Sequence, residues 1–325
     1  GGRGERPGFS LTAQPIDVRT AFREDFAATK RALVLTSATL FTGSGRPWVL
    51  QRLGLEGGPQ PEAHSSQTAE GAEVPKPPEP IRLLRARTPF QLERQALVVL
   101  VTDAPEVQED AFLDWAAGRI SGLAQFLGGR VLGLFASTRR LEGVHERVRA
   151  RLEPEGIEVL AQSRGSARSL AAKQERDFGS VLLGTKSFWQ GVDIPGDGVA
   201  AVFIDKLPIE PSSRPLVAAR EERFGDAPFA GFAHYRLPRA LLQLRQGVGR
   251  LIRSTTDRGV VIVADPGSPA YRDQVRSALD GYRVEELPWA VARRRVRDAL
   301  LQMGLVRGGP GARREKTAAT GAAIY

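Results

Sequence analysis

Two arginines and a glutamine near residue 250 fall at helical spacing and could bind phosphate groups. If residues 237–253 form one helix, Gln246, Arg250 and Arg253 lie within about 60° of one another on its surface. The planar guanidinium fork of arginine suits phosphate oxygens. The two glycines of this segment each cost a helix interior about 1 kcal/mol relative to alanine, which suggests that a ligand approaches the backbone closely. The alternative is a solvated basic surface that binds nothing.

The segment 182–198 brings polar residues and two aromatic side chains together in an expected loop. Phe188 and Trp189 could stack on nucleic-acid bases, or they could close the hydrophobic core. Asp193, beside Gly191, could orient a turn or an arginine across the site. On the sequence alone, both interpretations of the aromatic pair stay open.

Polar clusters directly follow several expected strands. Ligands of a parallel sheet bind at the carboxyl ends of its strands, so several clusters at one edge indicate a shared site. One cluster by itself would indicate nothing, because any strand ends in polar residues. The clusters occupy residues 36–39, 137–139 and 185–187, together with Asp265.

The elements that must position these residues alternate between short apolar strands and helices. Continuous apolar runs are typical of strands that are buried on both faces of a sheet. We therefore predict an α/β fold with a parallel sheet flanked by helices. Strands are expected at 32–35, 97–101, 130–135, 157–161, 181–184, 200–204 and 259–264, and helices at 18–30, 109–126, 140–152, 166–177, 237–253, 269–279 and 289–303.

The composition narrows the possible chemistry. The 325 residues include no cysteine and three histidines, which excludes disulfides and cysteine-held zinc or iron–sulfur centres in this chain and argues against a histidine metal site. Lys+Arg total 46 against 37 Asp+Glu, and the net charge of +9 favours a polyanionic partner. No apolar run approaches the roughly 20 residues that span a membrane.

The usual phosphate-binding signatures are absent from the sequence. Neither GxxxxGK(S/T) nor GxGxxG occurs, and no DEAD- or DEAH-type acidic box is present to hold Mg²⁺. Such a chain lacks the parts that bind the β- and γ-phosphates and the metal in phosphoryl transfer. We therefore expect the chain by itself to be inactive as an ATP hydrolase.

The clusters nevertheless resemble, in kind and in order, the second motor domain of superfamily 2 helicases. More narrowly, they resemble the DinG/XPD family, and within it the bacterial DinG-like proteins. The likeness covers most of residues 18–290, and its most specific parts are FWQGVDIPG and QGVGRLIRS. The matching segments are LVLTSATL (33–40, motif III), GLFASTRRL (133–141, motif IV), LLGTKSFWQGVDIPG (182–196, motif V), KLPIEPSSRP (206–215) and LPRALLQLRQGVGRLIRSTTDRGVVIVAD (237–265, motif VI and the next strand).

The resemblance implies a RecA-like domain, of the P-loop-NTPase type, from an ATP-dependent 5′→3′ DNA helicase of DNA repair or replication. ATP with Mg²⁺ would bind between this domain and a first motor domain, which carries the phosphate loop, the DEAH-type box and an iron–sulfur cluster that is not in this chain. The implied partners are single-stranded DNA and tailed or forked duplexes. The implied setting is a cytoplasmic, nucleoid-associated monomer that does not act at a membrane.

Matching positions in the motifs also imply roles for individual residues. Arg253 resembles the arginine finger that reaches the γ-phosphate, Arg250 resembles its partner, and Gln246 would position the nucleotide or the attacking water. The residues that would bind the nucleotide or couple its state to DNA are Gly191, Asp193, Gly249, Ser37 and Thr39. Those that would contact the DNA backbone are Ser137, Thr138, Arg139 and Ser187.

The same resemblance predicts the domain organisation. Residues 1–45 would end the first motor domain, and residues 81–290 would form the second. Residues 56–80, rich in proline and glutamate, are expected to be a linker or loop, and residues 291–325 a basic helix with a frayed tail. The start at Gly1 and the absence of cysteine agree with the C-terminal half of a helicase. The alternative is a non-catalytic module that binds single-stranded nucleic acid and derives from a helicase domain.

Overall fold

The computed structural model describes residues 13–37, 48–55, 81–84, 86, 88–176, 179–185, 188–189 and 198–306. They divide into two compact units. The first comprises Gly1–Arg85 and Ile209–Ala240, and the second comprises Ala86–Pro208 and Leu241–Tyr325. The candidate residues Thr39, Ser187, Gly191 and Asp193, and the expected linker 56–80, lie outside the described residues.

The second unit is built on a seven-stranded sheet in which every neighbouring pair of strands is parallel. The strand order is β3-β4-β2-β5-β6-β1-β7. Helices lie between the successive strands of this sheet except β4 and β5, whose connection is described only in part, and the predicted α/β fold with a parallel sheet is confirmed. The strands are β1 (Ala96–Val101), β2 (Val131–Leu134), β3 (Val159–Ala161), β4 (Val181–Gly184), β5 (Ala201–Ile204), β6 (Gly259–Val263) and β7 (Arg283–Leu287).

The strands are apolar throughout because helices cover both faces of the sheet. Every residue of β1 and β6 is buried. Alternate residues such as Val99 and Ile262 join one core cluster with α3, α4 and α9, while Val98 and Val261 are buried on the opposite face. The helices are α1 (Trp48–Arg52), α2 (Leu92–Gln95), α3 (Asp110–Leu127), α4 (Thr138–Leu152), α5 (Ala167–Arg176), α6 (Pro215–Glu222), α7 (Leu237–Val248), α8 (Arg272–Ala278) and α9 (Trp289–Gln302).

The first unit contains helical segments around the buried Tyr235. The hydroxyl of Tyr235 lies 3.0 Å from a guanidinium nitrogen of Arg220 and 3.0 Å from one of Arg239. The Arg52 guanidinium lies 5.1 Å from the centre of the Tyr235 ring. Besides α1 and α6, this unit has a π-helix over Ala21–Phe26, a 3₁₀-helix over Ala27–Thr29 and a π-helix over Phe232–Arg236.

The prediction of a strand at residues 32–35 is wrong for the described structure. This segment has no secondary structure and no strand partner in the described structure, and Val34 is 80% exposed. A strand is stable only beside a neighbour that completes its backbone hydrogen bonds, and the seven described strands all lie between Ala96 and Leu287. The apolar run at 32–35 was a local signal for a strand, but it has no partner among the described residues.

The expected helix 237–253 is also too long, because α7 ends at Val248. Beyond that residue, the amides of Arg250 and Leu251 donate to the carbonyls of Gly247 and Val248, which is the tighter i→i−3 pattern. Arg250 and Arg253 therefore lie past the helix, and the single helical face predicted for them with Gln246 does not form.

The edge strand β7 was not anticipated from the sequence. It reads RVEEL, and its two glutamates pair with arginines, as Glu285 does with Arg295 at 2.6 Å. Charged edge strands resist pairing with other chains, and such strands carry little apolar signal. None of the helices in the described residues is long and apolar enough to cross a membrane.

Candidate functional site

The residues 137–139 lie at the carboxyl edge of the sheet, where β2 passes into α4. The Ser137 hydroxyl caps α4 by accepting a hydrogen bond from the Arg140 amide at 3.3 Å. Thr138 and Arg139 are exposed in the first turn of this 15-residue helix. A helix N-terminus with exposed hydroxyl and guanidinium groups attracts anions such as phosphate. These three predicted residues, which are consecutive in the chain, thus form a helix N-terminus that suits a phosphate backbone.

A buried carboxylate that the sequence analysis did not single out holds this edge in place. Asp205 directly follows β5 and is 0% exposed. One of its oxygens accepts from the amides of Ala136 at 2.9 Å and Lys206 at 2.8 Å, and the other accepts from Arg140 Nε at 2.7 Å. Burial raises the pKa of the Asp205 carboxyl, whereas the Arg140 guanidinium and the two amides oppose that rise. The sequence feature that could have identified Asp205 is its place as an acidic residue directly after the apolar strand AVFI.

Gln162, which directly follows the neighbouring strand β3, fixes the carboxyl end of β4 through its side chain. The amide and hydroxyl of Thr185 lie 2.7 and 2.9 Å from Gln162 Oε1. Phe188 and Trp189, which follow, are 1% and 3% exposed. The two rings therefore belong to the core, and their alternative role as a stacking surface for bases is wrong.

Gly247 is required by this core rather than by a ligand. A Cβ added there would lie 2.8 Å from the indole ring of Trp189 and 3.3 Å from Leu134 Cδ1. Gly249 lies just past α7, where its amide donates to the Arg245 carbonyl at 2.9 Å and a Cβ would approach that same carbonyl at 3.2 Å. Gly247 thus accommodates the Trp189 ring rather than a ligand, whereas the role of Gly249 in nucleotide binding or coupling stays a prediction.

We predict that Gly247→Ala lowers the free energy of unfolding by about 1–3 kcal/mol, because the buried Trp189 ring has to move. Urea unfolding of the 325-residue chain would measure the change. Gly122→Ala is the matched control, since Gly122 lies inside α3 and a Cβ there meets nothing within 4 Å in the described part of the chain. The control should be neutral or stabilising by up to about 1 kcal/mol. Equal losses for both variants would contradict the packing argument.

Arg250 connects the end of α7 to the segment that follows β4. Its Nε and Nη2 atoms donate to the Trp189 carbonyl at 3.2 and 2.9 Å. Gln246 lies in the last turn of α7 and is half-buried. Arg250 thus contacts the backbone of Trp189, whereas the predicted coupling residues Gly191 and Asp193 lie outside the described residues.

Arg253 lies at the start of a hydrogen-bonded loop, residues 253–257, that leads into β6. Its amide and that of Ser254 each lie 2.8 Å from Asp257 Oδ2. Gln95 Nε2 donates to the carbonyls of Ser254 at 3.0 Å and Asp257 at 2.8 Å. Gln95 immediately precedes β1, so the backbone of this loop lies at the amino edge of the sheet.

The structure therefore separates two groups of predicted residues. The 253–257 loop lies at the amino edge, and residues 137–139 lie at the carboxyl edge of the same parallel sheet. A four-residue strand is ~13 Å long at about 3.3 Å per residue, so the two backbone segments cannot form one compact site. Ser37 belongs to the first unit, where it is exposed.

The donors in this region suit phosphate better than metal. Arg250, Arg253 and Gln246 carry guanidinium and amide N–H groups, the kinds of donor that match phosphate oxygens. Among the described residues, no group of three or more His, Cys, Asp or Glu side chains could hold a metal ion.

Comparisons with known proteins find similarity to helicases. Residues 120–279 match the family model for the helicase C-terminal domain. The 3′-5′ exonuclease DinG of Bacillus subtilis is 31% identical over 271 residues, which cover 81% of this chain and 26% of that protein. The ATP-dependent DNA helicase YoaA of Escherichia coli is 31% identical over 261 residues, which cover 79% of this chain and 36% of that protein.

A solved XPD helicase structure aligns with 59% of this chain and 36% of its own length, at 16% identity and a TM-score of 0.44. The chain thus spans 26% and 36% of the lengths of the two curated relatives. Residues 120–279 therefore belong to the helicase C-terminal domain family, and the chain is similar in sequence to the DinG and YoaA proteins over about four fifths of its length.

Proposed function

We propose that this chain supplies the second motor half of an ATP-dependent DNA helicase that moves 5′→3′ and acts in DNA repair or replication. The observation that carries the proposal is the match of residues 120–279 to the helicase C-terminal domain. The separation of an arginine-bearing loop from an anion-attracting helix N-terminus supports it, because a motor needs distinct nucleotide and DNA contacts. In this proposal the protein works in the cytoplasm on the nucleoid, as a monomer.

The loop 253–257 and the end of α7 are the proposed nucleotide side. Arg253 would contact the γ-phosphate, Arg250 would assist it, and Gln246 would position the nucleotide or water. Bound ATP with Mg²⁺ supplies the phosphoryl group and the metal charge, and developing negative charge on that group is what a guanidinium stabilises. We propose that the phosphate loop, the acidic box and an iron–sulfur cluster belong to a first motor domain encoded upstream.

The carboxyl edge of the sheet is the proposed DNA side. Ser137, Thr138 and Arg139 would contact backbone phosphates of single-stranded DNA without reading its sequence, and Ser187 would join them. The unpaired apolar segment 32–35 supports the placing of residues 1–45 at the end of a first motor domain, whose sheet would supply the partner strand. The residues proposed to couple nucleotide state to DNA are Gly191, Asp193, Gly249, Ser37 and Thr39.

A strand-displacement assay on the full-length gene product tests the function. Duplexes with a 5′ single-stranded tail should be unwound with ATP and Mg²⁺, and duplexes with only a 3′ tail should not. The 325-residue chain is the matched control: it should bind single-stranded DNA and hydrolyse no ATP. Robust ATP hydrolysis by the chain alone would refute the proposal that the phosphate loop and the acidic box belong to a separate first motor domain. DNA binding without unwinding by the full-length product would favour the alternative, a non-catalytic single-strand-binding module.

A further inference from the structure

We infer that Asp257 and Gln95 are positioning residues that hold Arg253 where it can contact the γ-phosphate of ATP. The inference deepens the proposed function and rests on it, because it concerns how the proposed arginine finger is held. Neither residue touches the proposed nucleotide. Both act through the backbone of the loop that carries Arg253, which we call the 253–257 loop.

Asp257 closes the loop from within. Its Oδ2 atom accepts hydrogen bonds from the amides of Arg253 and Ser254, both at 2.8 Å, and its Oδ1 atom accepts from the Ser254 hydroxyl at 2.8 Å. Hydrogen bonds to an ionised carboxylate are roughly twice as strong as neutral ones. The amide of Arg253 is thereby committed to Asp257, which stabilises the turn at the residue that bears the guanidinium.

Gln95, which lies outside the 253–257 loop, connects this loop to the sheet through side-chain hydrogen bonds. It is 5% exposed, and its amide nitrogen donates to both the Ser254 and Asp257 carbonyls. Its oxygen accepts from the Gln91 amide at 2.8 Å, so the side chain has a fixed orientation. The next residue, Ala96, pairs with Gly259 in the sheet, and the loop is therefore anchored to β1 as well as to β6.

Such anchoring has a catalytic purpose in addition to a structural one. The Arg253 side chain is partly exposed, as a group that reaches a ligand must be, while its backbone is held on both sides. A charged group that is already placed where negative charge develops needs no reorganisation during the reaction. A displacement of 1 Å can lower the rate by about 10²-fold.

The test is a double-mutant cycle in the full-length protein, read as the single-turnover rate of ATP hydrolysis. Asp257→Ala should lower this rate by about 10- to 100-fold, with little change in the KM for ATP or the Kd for single-stranded DNA. In an Arg253→Ala background, the same substitution should lower the rate by less than about twofold, because the group it positions is gone. Asp257→Asn, which keeps an acceptor for the two amides, should recover part of the loss. Asp273→Ala, an exposed aspartate in α8, is the matched control and should leave the rate unchanged.

The outcomes separate this inference from the proposed function. An equal fall in rate with and without Arg253, or no fall in the wild-type background, would overturn the positioning role. If Arg253→Ala itself left hydrolysis intact, the proposed finger would fail, and the positioning role would fail with it. Should Asp257→Ala not fold, Gln95→Met provides a second route, since it removes the two donors to the loop and should show the same dependence on Arg253.

Discussion

Replacing Arg253 with alanine should lower the ATP turnover of the full-length protein by about 10³-fold or more. Arginine fingers are worth 10³–10⁵ in rate because they stabilise charge that develops on the transferred phosphoryl group, roughly 4 kcal/mol or more of transition-state free energy. Single-stranded DNA binding should change little, since the proposed DNA contacts lie at the opposite edge of the sheet from the 253–257 loop.

DNA-stimulated phosphate release at saturating ATP and fluorescence anisotropy with a labelled oligonucleotide measure the two effects separately. Arg258→Ala is the charge-matched control: Arg258 is exposed directly after the loop, and its removal should alter turnover by less than about twofold. If Arg253→Ala and Arg258→Ala lowered turnover equally, a general loss of positive charge would explain the data, and Arg253 would have no special role.

Replacing Asp205 with alanine should lower the free energy of unfolding by about 3–5 kcal/mol. The substitution leaves the amides of Ala136 and Lys206 without their acceptor and the Arg140 guanidinium without its counter-charge. Breaking a buried ion pair on one side costs 3–5 kcal/mol, because the remaining charge stays in a poorly solvated place. The carboxyl edge, with the proposed DNA contacts at residues 137–139, should loosen at the same time.

Chemical unfolding of the 325-residue chain in urea gives the stability change directly. Glu142→Ala is the matched control on α4: the Glu142 side chain is exposed and makes no hydrogen bond or ion pair with the described residues. The substitution should change the free energy of unfolding by no more than about 0.5 kcal/mol. DNA affinity, measured below the unfolding transition, should fall for the Asp205 variant and not for the control. A stability loss under about 1 kcal/mol would mean that the Asp205 contacts contribute little, contrary to the burial argument.

Local pattern was enough to predict most of the sheet. The runs that became β1 and β6 are continuously apolar and bounded by polar residues, and each residue on them is buried whichever face it points to. In such strands every residue is apolar because both faces of the sheet are covered. The strand can therefore be predicted without knowing which strands lie beside it. The order of the polar clusters likewise supported the DinG/XPD resemblance before any geometry was known, and the domain match agrees with it.

Tertiary structure decided the rest, because those features depend on partners far away in the chain. The apolar segment 32–35 is unpaired in the described structure, and just past the end of α7 at Val248 the Arg250 guanidinium donates to the Trp189 carbonyl, 61 residues away in the chain. The anchors are separated by 69 residues for Ala136 and Asp205, and by 162 for Gln95 and Asp257. Neither helical nor strand periodicity in the sequence indicates contacts between residues so far apart in the chain. The sequence was sufficient to identify the kind of domain, whereas packing set which backbone segments hold the candidate residues and at which edge of the sheet those segments lie.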